Sequence, residues 1–166
     1  MKKTLFSILL AILLSACQVR MTFSGATISP EIKTFSVSLF KNNASLINPL
    51  LAQTLTEKLK DKITSRTRLK MVNYGGDLHF EGEITQYSLQ PAAIQSNETA
   101  QLTQLTISIV VRCINKVDES KNYEERFTRF QQFPSNQNFS SVESQLVDAI
   151  TDELVEDIYK KTFINW

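Results

Sequence analysis

The chain has 166 residues, 42% hydrophobic and 21% charged, with 18 basic side chains against 17 acidic ones and a formal charge of +1. These proportions describe a single folded domain and exclude a disordered tail, a collagen and a disulfide-stapled miniprotein. With 4 Gly, 2 Cys and 1 His there is too little material for a glycine-rich nucleotide loop, a cysteine framework or a zinc cluster, and the charge lacks the basic excess by which nucleic-acid binders neutralise phosphates.

Lys2 and Lys3 precede an apolar run over residues 5–14, which ends in Ser15-Ala16-Cys17. A charged start, a short apolar stretch and small residues at a cleavage point are the pattern of a secretion signal, and the run is shorter than the roughly 20 residues of a membrane-spanning helix. Leu14-Ser15-Ala16-Cys17 resembles the bacterial lipobox, whose cysteine thiol receives a diacylglyceryl group and becomes the new N-terminus. Each buried methylene of such a chain contributes about 0.8 kcal/mol, so several chains hold a protein stably at a membrane. Cleavage before Cys17 removes Lys2 and Lys3, which moves the formal charge from +1 to −1. Gln18, where an Asp favours inner-membrane retention in bacteria that sort by this position, is compatible with the outer membrane. Acylation of Cys17 leaves Cys113 without a partner, so no disulfide is expected.

The expected organisation is a signal over residues 1–16, a lipidated tether over 17–30 and one domain over 31–166. Lys33, Phe35, Val37 and Leu39 alternate with Thr34, Ser36 and Ser38 as in a strand with one buried face, and residues 41–44 read as a loop. Asn48-Pro49 opens a helix, where Asn caps free amides and Pro loses no hydrogen bond. Leu51, Leu55, Leu59 and Ile63 then form an apolar stripe, better explained by packing on the chain's own sheet than by a partner. Lys58, Lys60, Lys62, Arg66, Arg68 and Lys70 cluster toward and beyond the helix end, where cations also complement its dipole.

Residues 69–72 read as a short strand, Gly75-Gly76-Asp77 as a turn, and residues 77–87 as a strand with Leu78, Phe80 and Ile84 on one face. Gly82 marks a bulge or a close backbone approach there, and Pro91 stops the strand before a polar loop over 92–99. Leu105, Ile107, Ile109, Val111 and Cys113 give the clearest period of two in the chain, with Thr106, Ser108 and Arg112 opposite. Cys113 thereby falls in the core, where burial raises the thiol pKa and keeps it inert. A charged turn over 115–122 joins this strand to the next, over 123–133, with Tyr123, Phe127, Phe130 and Phe133; the two are expected to pair as an antiparallel hairpin. Ser140-Ser141-Val142-Glu143 resembles a capping box, and Val142, Leu146, Ala149, Ile150, Leu154 and Ile158 supply the stripe of a second helix. The resulting expectation is an α+β fold, two helices packed on one face of a four-stranded mixed or antiparallel sheet.

Catalytic chemistry has little to stand on. His79 is the only His, and no Gly-x-Ser-x-Gly elbow accompanies it. Glu81 and Glu83 share a strand face, as either a carboxylate pair or a solvated surface would, and His79 with those two is a weak metal set. The expectation is no catalytic residue, no metal and no cofactor.

The lipobox ending in Cys17, Phe23-Ser24-Gly25, Asn48-Pro49, the run Gly76-Asp77-Leu78-x-Phe80-Glu81-Gly82-Glu83-Ile84, Ser140-Ser141-Val142-Glu143 and the ending Phe163-Ile164-Asn165-Trp166 together resemble the LPS-assembly lipoprotein family, LptE. The resemblance spans most of residues 17–166 and is most specific over 77–87. It implies a non-enzymatic outer-membrane lipoprotein that sits as a plug inside the large β-barrel LptD, helps that barrel assemble and contacts lipopolysaccharide on its way to the outer leaflet. Cys17 carries over as the lipid attachment site. Lipopolysaccharide contact is assigned to Arg66, Arg68 and Lys70, because Arg binds phosphate in a bidentate way and Lys acts as a point charge. The rival expectation is a free-standing periplasmic ligand-binding lipoprotein without a barrel partner, which needs a deep apolar pocket between helices and sheet; a hydrolase built on His79 ranks third.

Overall fold

Four of the apolar residues that define the first helical stripe have no solvent exposure at all, and the architecture follows from what covers them. The structure is a computed structural model that describes residues 28–46, 48–92 and 101–164. Cys17 and the signal and tether sequences up to residue 27 lie outside the described residues, as does most of the polar loop expected over 92–99.

In chain order the elements are β1 (Thr34–Val37), β2 (Lys41–Asn42), α1 (Leu51–Arg66), β3 (Lys70–Met71), β4 (Leu78–Pro91), β5 (Leu102–Asn115), β6 (Tyr123–Pro134) and α2 (Phe139–Phe163). The sheet is mixed and six-stranded, in the order β3-β1-β4-β5-β6. β1 runs parallel to β3 and β4, and β4, β5 and β6 form an antiparallel meander. The α+β class and the hairpin of β5 and β6 are as the sequence predicts. The short strand expected over 69–72 is β3, whereas residues 41–44, expected as a loop, contribute β2 by pairing with β4; with these two-residue strands the sheet exceeds the expected four.

β2 pairs with β4 at Glu83 and Ile84, just beyond the stretch that β1 pairs. The two are one interrupted strand, and the interruption explains Leu39. Expected on the buried face with Phe35 and Val37, Leu39 is 65% exposed because the chain turns at residues 38–40 and Phe40 takes the core position, 1% exposed. The amide of Phe40 donates to Thr56 Oγ1 of α1 at 3.2 Å, which fixes that turn against the helix.

Leu51, Leu55, Leu59 and Ile63 of α1 meet Phe35, Leu78, Phe80 and Ile84 of the sheet and Ile150, Leu154 and Ile158 of α2 in one core. Lys58 of α1 bridges Asp148 and Asp152 of α2, each at 2.6 Å, so the two helices lie side by side on the same face. Asn48 Oδ1 accepts from the amides of Leu50 and Leu51, at 3.0 and 3.1 Å, but the helix itself starts at Leu51 with Leu50 as its N-cap, so Pro49 lies in the turn before α1 and not at its expected first position. The second helix begins differently. Asn138, and not Ser140, is its N-cap, accepting from Ser140 N at 3.0 Å. Glu143 is thereby free to accept from Tyr87 Oη at 2.6 Å and Asn48 Nδ2 at 2.8 Å, a clamp joining β4, the start of α1 and α2.

Gly75 has φ +74°, and a Cβ on Gly76 would lie 2.6 Å from the carbonyl carbon of Phe35, so the turn before β4 needs glycine at both places. Gly82 marks a close approach, with a Cβ there 2.4 Å from Val110 O; the bulge falls further on, between Ile84 and Gln86. Because the extra residue shifts the alternation, Ile84 and Tyr87 both point into the core. Phe130 stands apart from the other aromatics of β6. Its even position sets it on the opposite face from Phe127 and Phe133, beside Thr106, and it is 51% exposed.

Candidate functional site

Both helices cover one face of the sheet, and among the described residues no element covers the other. That open face is built from the polar half of the strand alternation. Ser108 Oγ lies 3.1 Å from Gln86 Oε1 and 2.9 Å from Thr128 Oγ1, Gln132 Nε2 donates to Gln104 Oε1 at 3.1 Å, and Gln104 Nε2 donates to Thr106 Oγ1 at 3.1 Å. The result is a neutral lattice of amides and hydroxyls around the exposed ring of Phe130. Nearer the start of β4 the face becomes charged, with Arg112 bridging Glu81 at 3.0 Å and Glu124 at 2.6 Å. The sequence reading noted the polar side of β5 but missed the continuous face across β4, β5 and β6, because register is needed to align the three strands.

His79 stands at one edge of this face. Its Nδ1 lies 2.8 Å from Ser36 Oγ, and Ser36 Oγ also accepts from Gly76 N at 3.1 Å. Ser36 is fully buried, so its hydroxyl ties β1 to β4 and to the glycine turn at a place no substrate reaches. Nε2 faces Ser38 Oγ at 3.4 Å and Glu81 Oε2 at 4.0 Å. Glu81 is taken by Arg112, and Glu83 Oε2 accepts from Asn43 Nδ2 at 2.6 Å. Among the described residues no group of three or more His, Cys, Asp or Glu has a metal-binding arrangement.

The basic series of the sequence separates into two sets. Lys58 pairs with Asp148 and Asp152, Lys60 with Glu57 and Lys62 with Glu156, so the first three stabilise the helix layer. Arg66 ends α1, Arg68 lies in the connection and Lys70 is in the edge strand β3; all three are exposed and make no ion pair among the described residues. The three predicted phosphate contacts thus lie along one corner of the chain, from the end of α1 to β3. Asp77, close by in the chain to that corner, is committed elsewhere. It accepts from the amides of Lys33 and Thr34 and from Thr34 Oγ1, each at 2.9 Å, which lowers its pKa below the ordinary carboxylate range.

The space between helices and sheet is filled by side chains without exposure, among them Phe35, Phe80, Ile107 and Phe163. A polar concavity opens at one end of this layer, lined by Asn115, Asn122, Tyr123, Lys161 and Thr162 with Cys113 at its base. Burial pushes the Cys113 thiol up to about 12. The folded state then keeps the proton while the unfolded state loses it from about pH 9, so stability falls from pH 9 to 12 at up to about 1.4 kcal/mol per pH unit. Cys113→Ala removes this part of the alkaline slope in urea unfolding measured at several pH values; an unchanged slope contradicts the assignment.

Residues 32–162 match the family model of LptE, described as lipopolysaccharide-assembly. A comparison with curated proteins returns no match. Among solved structures, the chain is similar to a minor lipoprotein from Acinetobacter baumannii, at 14% identity and a TM-score of 0.52 over 79% of this chain and 92% of that one. It is also similar to a hypothetical protein from Chlamydia trachomatis, at 10% identity and a TM-score of 0.56 over 79% of this chain and 98% of that one. These two likenesses establish a shared fold. The family match covers β1 through nearly all of α2, including the 77–87 segment on which the resemblance is most specific, and the chain accordingly belongs to the LptE family of lipopolysaccharide-assembly lipoproteins.

Proposed function

We propose that this chain is an outer-membrane lipoprotein, acylated at Cys17, that plugs and helps assemble the LptD β-barrel and so supports delivery of lipopolysaccharide to the outer leaflet, without a catalytic role. The observation that carries the reading is the family match over residues 32–162. The open sheet face supports the plug. A barrel wide enough to hold a domain has a polar lumen, and hydroxyls and amides such as Ser108, Thr128, Gln104 and Gln132 can exchange hydrogen bonds with it without burying a charge. Depletion of the chain is expected to lower both the folded barrel and the lipopolysaccharide exposed at the cell surface. Unchanged barrel folding and surface lipopolysaccharide contradict the proposal.

Lipopolysaccharide contact at Arg66, Arg68 and Lys70 is the finer part of this reading. A hydrogen bond to a charged group is worth about 1.5–3 kcal/mol, so changing all three to Ala is expected to weaken lipopolysaccharide binding by about tenfold or more. The variants keep the wild-type thermal midpoint, since none of the three has an ion partner to lose among the described residues. Unchanged affinity in a direct binding titration removes the contact from these residues.

A further inference from the structure

Strand direction places several features at one end of the molecule. β1, β3 and β4 are parallel and begin together, with Thr34 beside Lys70 and Phe35 beside Leu78. The chain enters the described fold at Ile28, which packs on the core just before β1, and α1 returns to the same end at Arg66. That end therefore receives the tether and presents Lys33, Arg66, Arg68 and Lys70, all exposed. Met71 of β3 is 51% exposed, and Tyr74, in the connection to β4, is 88% exposed with its ring edge-on to His79 at 6.4 Å between centroids. Two carboxylates there are engaged locally, Asp77 by the amides of Lys33 and Thr34 and Asp118 by Ser120, leaving Glu31 and Glu119 as opposing solvent-facing charge.

We infer that this end of the domain docks on the anionic phospholipid headgroups of the leaflet that holds the lipid anchor. The inference rests on Cys17 being that anchor. Cys17 and Ile28 are eleven residues apart, so the tether reaches at most about 40 Å and joins the fold at this end. Clustered Lys and Arg are attracted to an anionic surface within a Debye length, and an exposed Tyr suits the interface, where its ring meets apolar groups and its hydroxyl meets water. The same phosphate chemistry serves lipopolysaccharide in the proposed function, and the leaflet supplies a ligand in its absence. In a barrel plug, this orientation turns the tether end toward the periplasmic rim and the connection between β6 and α2 into the lumen.

The test uses the mature lipoprotein purified from membranes and reconstituted in lipopolysaccharide-free vesicles, either neutral phosphatidylcholine or the same lipid with phosphatidylglycerol. Lysine acetylation is then followed by mass spectrometry. Labelling of Lys33 and Lys70 is expected to slow by about fivefold on the anionic vesicles, while Lys41, exposed in β2 further along the sheet, labels equally on both. High salt, or the Arg66→Ala and Arg68→Ala changes together, restores the faster rate. Acylated protein that floats with vesicles yet labels equally at Lys70 on both overturns the docking alone. Protection that requires added lipopolysaccharide also overturns it and leaves these cations to that ligand. An N-terminal peptide without acyl mass overturns the anchor, and the docking with it.

Discussion

Phe80→Ala is expected to cost about 3–5 kcal/mol, the range for truncating a buried Phe to Ala in a packed interior. Phe80 has no exposure, stands near the start of β4 where β1 and β5 flank it, and faces the ring of Phe163 at 6.5 Å between centroids. Truncation opens a void that Phe35, Leu78 and Phe163 can close only by moving both the sheet and the end of α2. A domain of this size has a total stability of about 5–15 kcal/mol, so the variant loses a large share of it and its thermal midpoint drops by more than about 10 °C. The control is Leu39→Ala, equally apolar in sequence yet exposed, which stays within about 0.5 kcal/mol. Urea unfolding of both variants makes the comparison, and equal costs contradict the assignment of Phe80 to the core and Leu39 to the surface.

Gly82→Val is the second large effect and has a different cause. A Cβ at this position lies 2.4 Å from the carbonyl oxygen of Val110 and 2.7 Å from Cε1 of Phe40. Phe40 can give a little, since its ring is the far end of a side chain, but the Val110 carbonyl belongs to the backbone of β5 and moves only if the pairing of β4 with β5 opens. Overpacking of this kind costs about 1–3 kcal/mol. Hydrogen exchange of the variant localises the damage, with faster exchange expected around Glu83 and Val110 and the β5–β6 pairing retained. Native exchange rates at those amides contradict the account of why glycine is there.

What was legible in the sequence is what a long regular element announces by itself. The stripe Leu51, Leu55, Leu59 and Ile63 and the alternation from Leu105 to Cys113 have enough repeats to reveal both period and buried face, and these residues are buried without exception. β3 lies where the sequence predicts a short strand, but β2, in an expected loop, is only two residues, too short to carry a period, and is held by backbone pairing to a strand distant in sequence. Asn138 takes the place of Ser140 as the cap of α2, and Glu143 pairs with Tyr87 and Asn48, partners 56 and 95 positions away that local spacing does not show. The candidate site divides the same way. Arg66, Arg68 and Lys70 could be named from the sequence, but their separation from Lys58 and Lys62 depends on Asp148, Asp152 and Glu156 arriving from α2, about 90 positions away. The open polar face needed the register of three strands before Ser108, Gln86 and Thr128 could be seen as neighbours.

Affinity purification of tagged full-length protein from detergent-solubilised envelopes, beside a Cys17→Ala control, tests the plug most directly. The account predicts stoichiometric recovery of one large β-barrel with the wild-type chain and reduced recovery with the control, whose missing anchor weakens formation of the complex. Recovery of the wild-type lipoprotein alone, with its anchor intact and in mild detergent, contradicts the plug and points to a free-standing ligand-binding lipoprotein.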